Sequence, residues 1–176
     1  MTTSLESLVA QFDTRGLPPV EDWNPQKVAD IDIRIDRQGD WYYKDSKIER
    51  RRMVALFSTI VWREDNNYFL KTPHEKLKIE VEAAPFMAVL MAVAGEGESR
   101  SLTFTDNTGN TFKADAQHKL WLEETETGEP APFVIVRRNL PALLSRAVYY
   151  QLAELIVERD ETAGVWSEGV FFPLSS

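Results

Sequence analysis

The sequence predicts an α+β protein built from two related halves, each combining hairpins or a sheet with a helix. Apolar and polar residues alternate through segments such as Ile31–Ile35 and Leu77–Val81, as in half-buried strands. An apolar stripe at helical spacing follows Asn139. A turn motif also recurs, since Asp36-x-x-Gly39-Asp40 matches Asp106-x-x-Gly109-Asn110. This recurrence indicates a repeated hairpin-and-helix unit, although chemistry common to many hairpins would explain it nearly as well.

Composition places the chain among ordinary globular proteins and removes several kinds of chemistry. Of its 176 residues, 43% are hydrophobic and 27% are charged, so a folded core is expected rather than disorder. The chain contains no cysteine, which excludes disulfides, thiol catalysis and cysteine-ligated zinc. Two histidines, His74 and His118, are too few for a histidine-based metal site without carboxylate help. We therefore expect no metal and no cofactor.

The net charge and the apolar segments indicate which partners and which cellular location to expect. A net charge of −8 argues against binding along duplex nucleic acid, which requires a dominantly positive surface. Residues 1–14 contain no lysine or arginine and show no secretory pattern. The longest apolar run, residues 83–94, is interrupted by Pro85 and is shorter than the roughly 20 residues that span a membrane. We expect a soluble, cytoplasmic protein with no membrane span.

The first half reads as a short helix, a hairpin and a second helix. Residues 5–12 have amphipathic helical spacing, and residues 31–43 alternate around a turn as a hairpin does. A capping box at Ser46 predicts a helix over residues 48–62. Its first turn carries Arg50–Arg52, where the helix dipole disfavours cations. These arginines are expected to have a partner, either a structural carboxylate or an anionic ligand.

The centre of the chain predicts a strand, a helix start and a second strand. Tyr68–Lys71 reads as the first strand. Thr72 has the form of an N-cap, with Pro73 at the first helical position and Glu75 three residues after the cap. Leu77–Val81 then alternates as the second strand. We place the boundary between the halves here, with residues 1–75 forming the first and residues 76–176 the second.

The second half is expected to be rich in strands and to end in one long helix. Phe86–Val93 is almost continuously apolar and predicts a central strand buried on both faces. Asn139 then caps a helix over about residues 139–159, whose wide apolar stripe is typical of a core face. The aromatic tail is expected to pack back on the body. Shorter strands are predicted at Ser101–Thr105, Thr111–Lys113, Lys119–Glu123 and Phe133–Arg137.

A set of aromatic, proline and charged motifs is spread in order over nearly the whole chain. It comprises Trp23-Asn24-Pro25, Asp32, Arg34-Ile35, Gly39, Trp41, Leu56-Phe57-Ser58, Arg63-Glu64-Asp65, Tyr68, Leu70, Thr72-Pro73, Glu75-Lys76, Val81-Glu82, Ala84-Pro85-Phe86, Val136-Arg137, Arg146 and Tyr149-Tyr150. In this set the chain resembles the bacterial domain-of-unknown-function 1285 family. It departs from the family's pattern at Asn66-Asn67, at Ala83, where an aspartate is expected, and at His118-Lys119.

The resemblance implies a duplicated α+β core whose C-terminal part is similar to pleckstrin-homology-like folds. The second half is then expected to be a strand-rich sheet or barrel closed by the long C-terminal helix. The resemblance also implies a regulatory module in signal transduction, with a nucleotide-type anionic ligand bound at the interface between the two halves. Fold likeness alone does not transfer function, so each functional expectation needs its own residues.

Eight residues are candidates for contacts with such a ligand. A phosphate requires donors that make forked or charge-assisted hydrogen bonds. The cationic candidates are Arg34, Arg63, Lys71, Lys76 and Arg137. Thr72 and the amides after it offer an anion site at the predicted helix start, while Trp23 or Trp41 would stack on a base. Structural alternatives remain for several, since Arg63 could pair with Glu64 and Lys76 could be a surface residue.

Two other kinds of function stay open. A protein-interaction adaptor without a small-molecule ligand could accept an added strand at an exposed strand such as Leu77–Glu82. In an enzyme, His74 with Glu75, Glu80 and Glu82 would supply a base and an acid. The sequence contains no P-loop, no nucleophile elbow and no zinc-protease motif, so catalysis is the least favoured of the three and no catalytic residue is assigned.

Overall fold

The computed structural model describes residues 5–9 and 16–174 and divides the chain into two compact units, residues 1–85 and 86–176. Strands dominate both units. In the first unit the helices are α1 (Leu5–Val9) and α2 (Arg51–Ser58). Its strands are β1 (Lys27–Ile35), β2 (Trp41–Tyr43), β3 (Ser46–Lys47), β4 (Val61–Glu64), β5 (Asn67–Lys71) and β6 (Glu75–Val81).

The second unit contains a larger set of strands and a short helix. Its first sheet is formed by β7 (Phe86–Ala94), β8 (Ser101–Asp106), β9 (Thr111–Lys113), β10 (Leu120–Glu124), β11 (Pro130–Arg137) and β12 (Leu140–Leu144). The helix α3 (Arg146–Ala153) follows. A small sheet is then formed by β13 (Val157–Arg159), β14 (Thr162–Ser167) and β15 (Val170–Pro173).

The two six-stranded sheets have the same topology. The order is β3-β2-β1-β6-β5-β4 in the first unit and β9-β8-β7-β12-β11-β10 in the second. Each sheet joins two antiparallel meanders through one parallel pair, β1 with β6 and β7 with β12. The expected duplication is therefore visible as a repeated strand order. In the described residues β9 and β10 do not pair with each other, so the second sheet is open rather than a closed barrel.

The recurring turn motif does not mark equivalent places in this repeat. Asp36 begins the turn between β1 and β2, whereas Asp106 begins the turn between β8 and β9. In both turns the glycine three residues on has positive φ, 84° at Gly39 and 96° at Gly109, a conformation that glycine adopts without steric cost. The sequence match therefore reports shared turn chemistry, and the structural repeat lies in the strand order.

The core of the first unit lies between the inner face of its sheet and α2. Ile33 and Ile35 alternate with polar neighbours along β1 and are buried, as predicted from the alternation. Trp41 is 1% exposed and stacks on Phe57 of α2 with ring centroids 6.4 Å apart. The hairpin predicted over residues 31–43 is confirmed by the antiparallel pairing of β1 with β2.

The long helix predicted over residues 139–159 is wrong, since only Arg146–Ala153 is helical. Arg138 and Asn139 have φ of 48° and 61°, which suits the two central residues of a tight hairpin turn. Asn139 therefore turns β11 into β12 instead of capping a helix. Ser145 is the N-cap, accepting a hydrogen bond from the Val148 amide at 3.2 Å. The apolar stripe is thus divided between a strand and a helix.

Two other helix predictions fail because strand pairing competes with the local helical signals. The helix predicted over residues 48–62 is reduced to α2, Arg51–Ser58, and its predicted cap Ser46 lies in β3. After α2 the chain enters β4, so Arg63 and Glu64 lie in a strand rather than at a helix end. The helix start predicted at Thr72 is a strand–turn–strand connection between β5 and β6. In both places the pairing of β4, β5 and β6 overrides local helical signals.

The strand predicted at Phe86–Val93 exists as β7, but it is not buried on both faces. Leu90 is 63% exposed and Val93 is 45% exposed. The parallel partner β12 covers β7 only from Phe86 to Ala88 and then turns into α3. The aromatic tail forms the hairpin of β14 and β15, in which Val165 and Phe172 are buried.

Candidate functional site

Three of the eight predicted ligand residues come together in the first unit, on the strands β5 and β6 and the turn between them. Trp62 pairs with Phe69 and Lys71 pairs with Lys76 across the antiparallel ladder, so these four side chains share one face of the sheet. Lys71 is buried, and its Nζ lies 3.7 Å from the centre of the Trp62 ring. At this distance the ammonium is attracted by the face of the indole.

Lys76 is held by an acidic partner on the same face. Its Nζ donates to both carboxylate oxygens of Glu64, at 2.8 and 2.9 Å, and the Trp62 Nε1 donates to the same carboxylate at 3.2 Å. The hydrogen bond from Lys76 lowers the pKa of Glu64, against an opposing effect of burial. The network joins two cations, one carboxylate and an indole, so the positive charge of Lys76 is compensated within it.

Thr72 organises the turn between β5 and β6. Its Oγ1 accepts from the amides of His74 and Glu75 at 3.1 and 3.0 Å, and the side chain is fully buried. The predicted anion site needed these amides, and both already donate to Thr72. His74 is exposed in this turn, and Glu75 forms an ion pair of 3.2 Å with Lys27. The turn thus connects two strands of the sheet, and the Thr72 hydroxyl and the His74 and Glu75 amides are used within it.

The remaining predicted residues of the first unit lie apart from this cluster. Arg34 pairs with Glu82 at 3.0 Å and lies over the Tyr42 ring at 4.4 Å. Trp41 is enclosed in the core, as described above. The Nε of Arg63 donates to the Asp65 carbonyl at 2.8 Å. Trp23 follows a single 3-10 turn and is half-buried.

Arg137 is the predicted ligand residue of the second unit. It lies at the end of β11, half-buried, with its guanidinium 5.1 Å from the centre of the Phe86 ring. Burial and the neighbouring Arg138 lower the pKa of Arg137, and Asp106 acts in the opposite direction. The side chain is therefore part of an electrostatic cluster within its own unit.

A groove in the second unit was missed by reasoning from the sequence. Its volume is about 390 Å³, and its walls come from β10 with the preceding loop and from β15. The lining residues are Ala116, Lys119, Leu120, Trp121, Val170, Phe171, Phe172 and Pro173. Aromatic residues and one lysine therefore line a common space. The two contributing segments are about 50 residues apart in the chain, so no local pattern could have joined them.

Both principal rings of the groove are held by neighbours. Trp121 stacks on Phe133 with centroids 5.6 Å apart. Phe171 meets Trp166 edge-on at 5.3 Å, and the Arg159 guanidinium lies 5.7 Å from the Phe171 ring. Such contacts fix ring orientation in the absence of a ligand. The rings that line the groove are thus held in position before any ligand binds.

Polar residues near the groove form a separate local network. The Asp115 carboxylate bonds the ring of His118 at 2.9 Å and accepts from the backbone amides of Gln117 and His118. Burial alone would raise the pKa of Asp115, but these hydrogen bonds outweigh it and lower the pKa. Phe112 stacks on the His118 ring with centroids 5.5 Å apart. The network stabilises the loop from which Lys119 and Trp121 continue.

Other candidate chemistry is limited. In the described part of the chain no group of three or more histidines, aspartates or glutamates could hold a metal ion. A second cavity of about 360 Å³ lies beside the irregular stretch of the β1–β6 pairing, between Asp30, Asp32, Lys78 and Glu80. None of the described helices is both long enough and apolar enough to cross a bilayer.

Comparison with known proteins gives consistent results over nearly the whole chain. Residues 18–84 match the model of the DUF1285 N-terminal domain, a domain of unknown function, and residues 85–174 match that of the DUF1285 C-terminal domain, from a protein of unknown function. A crystal structure of a DUF1285 family protein from Silicibacter pomeroyi DSS-3 is 42% identical, with a TM-score of 0.93, covering 99% of this chain and 96% of that one.

A second crystal structure is more distant. A DUF1285 family protein from Shewanella baltica OS155 is 26% identical, with a TM-score of 0.54, covering 69% of this chain and 90% of that one. None of the curated proteins compared matches the chain. The resemblance found from the motifs is therefore confirmed.

Proposed function

The chain belongs to the DUF1285 family, and on that premise we propose that it is a cytoplasmic regulatory protein in signal transduction that binds a nucleotide-type anionic ligand. The observation that carries the proposal is the aromatic groove of the second unit, with Lys119 at its wall. Its volume of about 390 Å³ falls within the range of small-molecule sites. A planar ring would stack on Trp121 or Phe171, and an anionic group would meet the Lys119 ammonium.

The lining of the groove favours binding over catalysis. Apart from Lys119, the side chains that line it are aliphatic, aromatic or proline. General acid–base catalysis needs a titratable group placed beside the reacting atoms, and nucleophilic catalysis needs an activated nucleophile. A site that binds without transforming its ligand suits a sensor. Of the residues predicted from the sequence, Arg63 and Arg137 remain alternative anion contacts.

The test is a thermal-shift screen of the purified chain against mono-, di- and cyclic nucleotides, with the matching nucleosides as uncharged analogues. A ligand at about a hundred times its Kd adds roughly 2.7 kcal/mol to the free energy of unfolding, which raises Tm by about 5–10 °C for a chain of this size. We expect a nucleotide to shift Tm more than its nucleoside, because only the nucleotide engages Lys119.

Variants test whether the ligand binds in the groove or at the residues predicted from the sequence. Trp121→Ala should abolish the shift and Lys119→Gln should weaken it, whereas Tyr150→Ala, which removes an exposed aromatic residue of α3, should leave it unchanged. If the shift survives Trp121→Ala but is lost in an Arg63→Gln/Arg137→Gln double variant, the ligand binds at the residues predicted from the sequence. If no nucleotide shifts a well-folded protein, the proposal fails.

A protein-interaction adaptor is the second candidate, because the groove runs between two strand edges. In the described residues β10 pairs only with β11 and β15 only with β14, and Pro173 occupies the outer strand, where a missing amide is tolerated. An extended peptide could add to either edge. The strand predicted for this role from the sequence, Leu77–Glu82, is excluded because β6 lies between β1 and β5. Peptide-dependent protection of β10 and β15 amides from hydrogen exchange, with no nucleotide shift, would favour this candidate.

A further inference from the structure

The second half of β7 has an edge to which no strand of the described residues is paired. The parallel partner β12 accompanies β7 only from Phe86 to Ala88. At that point the Ser145 amide bonds the Ala88 carbonyl and the chain leaves in α3. Residues 90–94 remain paired with β8 on their other side. A row of backbone donors and acceptors therefore points away from the sheet along this stretch.

Because the topology is repeated, the first unit shows which strand lies at the equivalent position. In the first unit the equivalent central strand β1 is paired with β6 at both of its ends, from Lys27 with Glu75 to Ile35 with Val81. In the second unit β12 stops after three pairs. The open stretch of β7 is thus the place where the first unit has a parallel neighbour and the second unit has none.

The composition of the open stretch is that of an interface rather than of a protected edge. Residues 89–94 read Val-Leu-Met-Ala-Val-Ala, without a charge or a proline. Natural sheets blunt free edges with lysine, proline or bulges, and here the bulge lies at the start, between Ala88 and Leu90. Leu90 is 63% exposed and Val93 is 45% exposed. Apolar exposure beside an open ladder favours pairing with another strand.

The charges at the two ends of this edge are complementary to each other. Arg146 is exposed in the first turn of α3, immediately after the Ser145–Ala88 hydrogen bond. Glu96 and Glu98 are exposed just beyond the far end of the strand. An antiparallel pairing of two identical edges places the basic end of each copy beside the acidic end of the other. The edge is therefore self-complementary in charge.

We propose that this edge is the dimerisation surface of the protein, through which two copies pair their β7 strands antiparallel around Ala92. In that register residues 90–94 of one copy run beside residues 94–90 of the other. Ala94 at the end of β7 in one copy then lies across from Leu90 of the other, which brings the Glu96 and Glu98 that follow it towards Arg146 at the start of α3. The interface is isologous, as expected for a twofold dimer, and it joins the two second-unit sheets into one continuous sheet.

Sedimentation velocity of the full chain tests the proposal from about 1 μM to about 100 μM, a range in which a modest dimer interface dissociates. The wild-type chain should sediment as a dimer at the upper end. Leu90→Lys should leave a monomer, while Val28→Lys, at an exposed valine of β1, should keep the dimer. A wild-type chain that is monomeric throughout, or a dimer that persists in a correctly folded Leu90→Lys variant, overturns the proposal.

A charge swap distinguishes self-pairing from capture of another strand and does not alter the apolar edge. Arg146→Glu and Glu96→Arg should each weaken the dimer, because each places like charges together at both ends. The double variant Arg146→Glu/Glu96→Arg should restore it. If the single variants weaken the dimer and the double variant does not recover it, the antiparallel register around Ala92 is wrong.

Discussion

The hydroxyl of Ser167 donates to the carbonyl of Ala114 at 2.7 Å and joins the small C-terminal sheet to the end of β9. The same Oγ accepts from the Leu102 amide at 3.0 Å, and the side chain is fully buried. One side chain thus satisfies two backbone groups that are distant from it in the chain. Burial makes these partners costly to leave without a hydrogen bond.

Ser167→Ala should therefore lower the free energy of unfolding by about 1–3 kcal/mol. Chemical denaturation followed by intrinsic fluorescence measures the change. Ser101→Ala is a matched control, because its hydroxyl donates to Glu168 at the surface and water can replace that partner. Equal losses of unfolding free energy in Ser167→Ala and Ser101→Ala would show that burial of the Ser167 hydrogen bonds adds nothing to stability.

The carboxylate of Asp106 should contribute more than a typical turn residue. Its Oδ1 accepts from the amides of Thr108 and Asn110 at 2.8 and 3.1 Å and from the Thr108 hydroxyl at 2.8 Å. Asp106→Ala should cost about 2–4 kcal/mol, since bonds to a charged, buried acceptor are the stronger class. Asp106→Asn, which keeps Oδ1, should cost less by the same denaturation assay.

Asp36 provides an independent test of the same turn chemistry. Its Oδ1 accepts from the amides of Gln38 and Asp40 at 2.9 and 3.0 Å. Asp36→Ala should lower the free energy of unfolding more than Asp36→Asn does. If alanine and asparagine are equivalent at both positions, the side-chain acceptor does not stabilise these turns.

Gly164 should not tolerate a side chain. A Cβ added there would lie 2.3 Å from the Phe172 carbonyl oxygen and 2.7 Å from the Phe171 ring. Gly164→Ala must therefore separate β14 from β15, which should lower the free energy of unfolding by about 1–3 kcal/mol or more. The substitution should also displace the rings that line the groove. Near-ultraviolet circular dichroism and thermal unfolding measure both effects.

Gly128→Ala is the control, because an added Cβ there meets nothing within 4 Å and only the positive φ of 84° opposes it. That strain costs about 1–2 kcal/mol and should leave the aromatic signal unchanged. An aromatic signal altered equally by both substitutions would contradict the steric explanation.

The ion pair between Lys76 and Glu64 should give stability a defined pH dependence. Because the folded-state pKa of Glu64 lies below its ordinary value of 4.5, its contribution is present above that value and is lost as pH falls through the lowered pKa. The carboxylate is 45% exposed, so screening limits the contribution to about 0.5–1 kcal/mol.

Urea denaturation of the wild type and Lys76→Gln should therefore show a gap in unfolding free energy that narrows as the solution is acidified below the ordinary glutamate value. Lys78→Gln replaces an exposed lysine two residues along β6. The difference in unfolding free energy between the wild type and Lys78→Gln should depend little on pH over this range. A Lys76→Gln gap that stays constant down to about pH 2 would show that Glu64 is not the titrating partner.

Much of the strand content and the turn chemistry was accessible from the sequence. Alternation at Ile31–Ile35 and Leu77–Val81 identified β1 and β6, because burial of one sheet face imposes a period of two on the chain. The aspartate–glycine turns were also found, since their hydrogen bonds and positive φ are local. Family membership followed from motifs that extend along the chain.

The candidate site was less accessible. Lys71, Thr72 and Lys76 do lie together, because they are close in sequence and the β5–β6 hairpin brings them to one region. Trp121 and Phe171 gave no sequence signal of a shared groove, since their proximity depends on two separate sheets in the second unit. Trp41 was a stacking candidate from its aromatic character alone, and its enclosure by Phe57 depends on how α2 packs.

Local patterns in the sequence were sufficient to predict the alternating strands and several tight turns, because their signals lie within a few residues. The Ser145 cap was not among these predictions, since the cap was placed at Asn139. Whether the apolar residues Leu140–Leu144 form a helix or a strand depends on tertiary contacts, because the same stripe can pack either way and pairing with β11 and β7 selects the strand. Tertiary contacts also decide the open edge of β7 and the aromatic groove. Both depend on contacts between residues far apart in the chain, whose free energy no local pattern records.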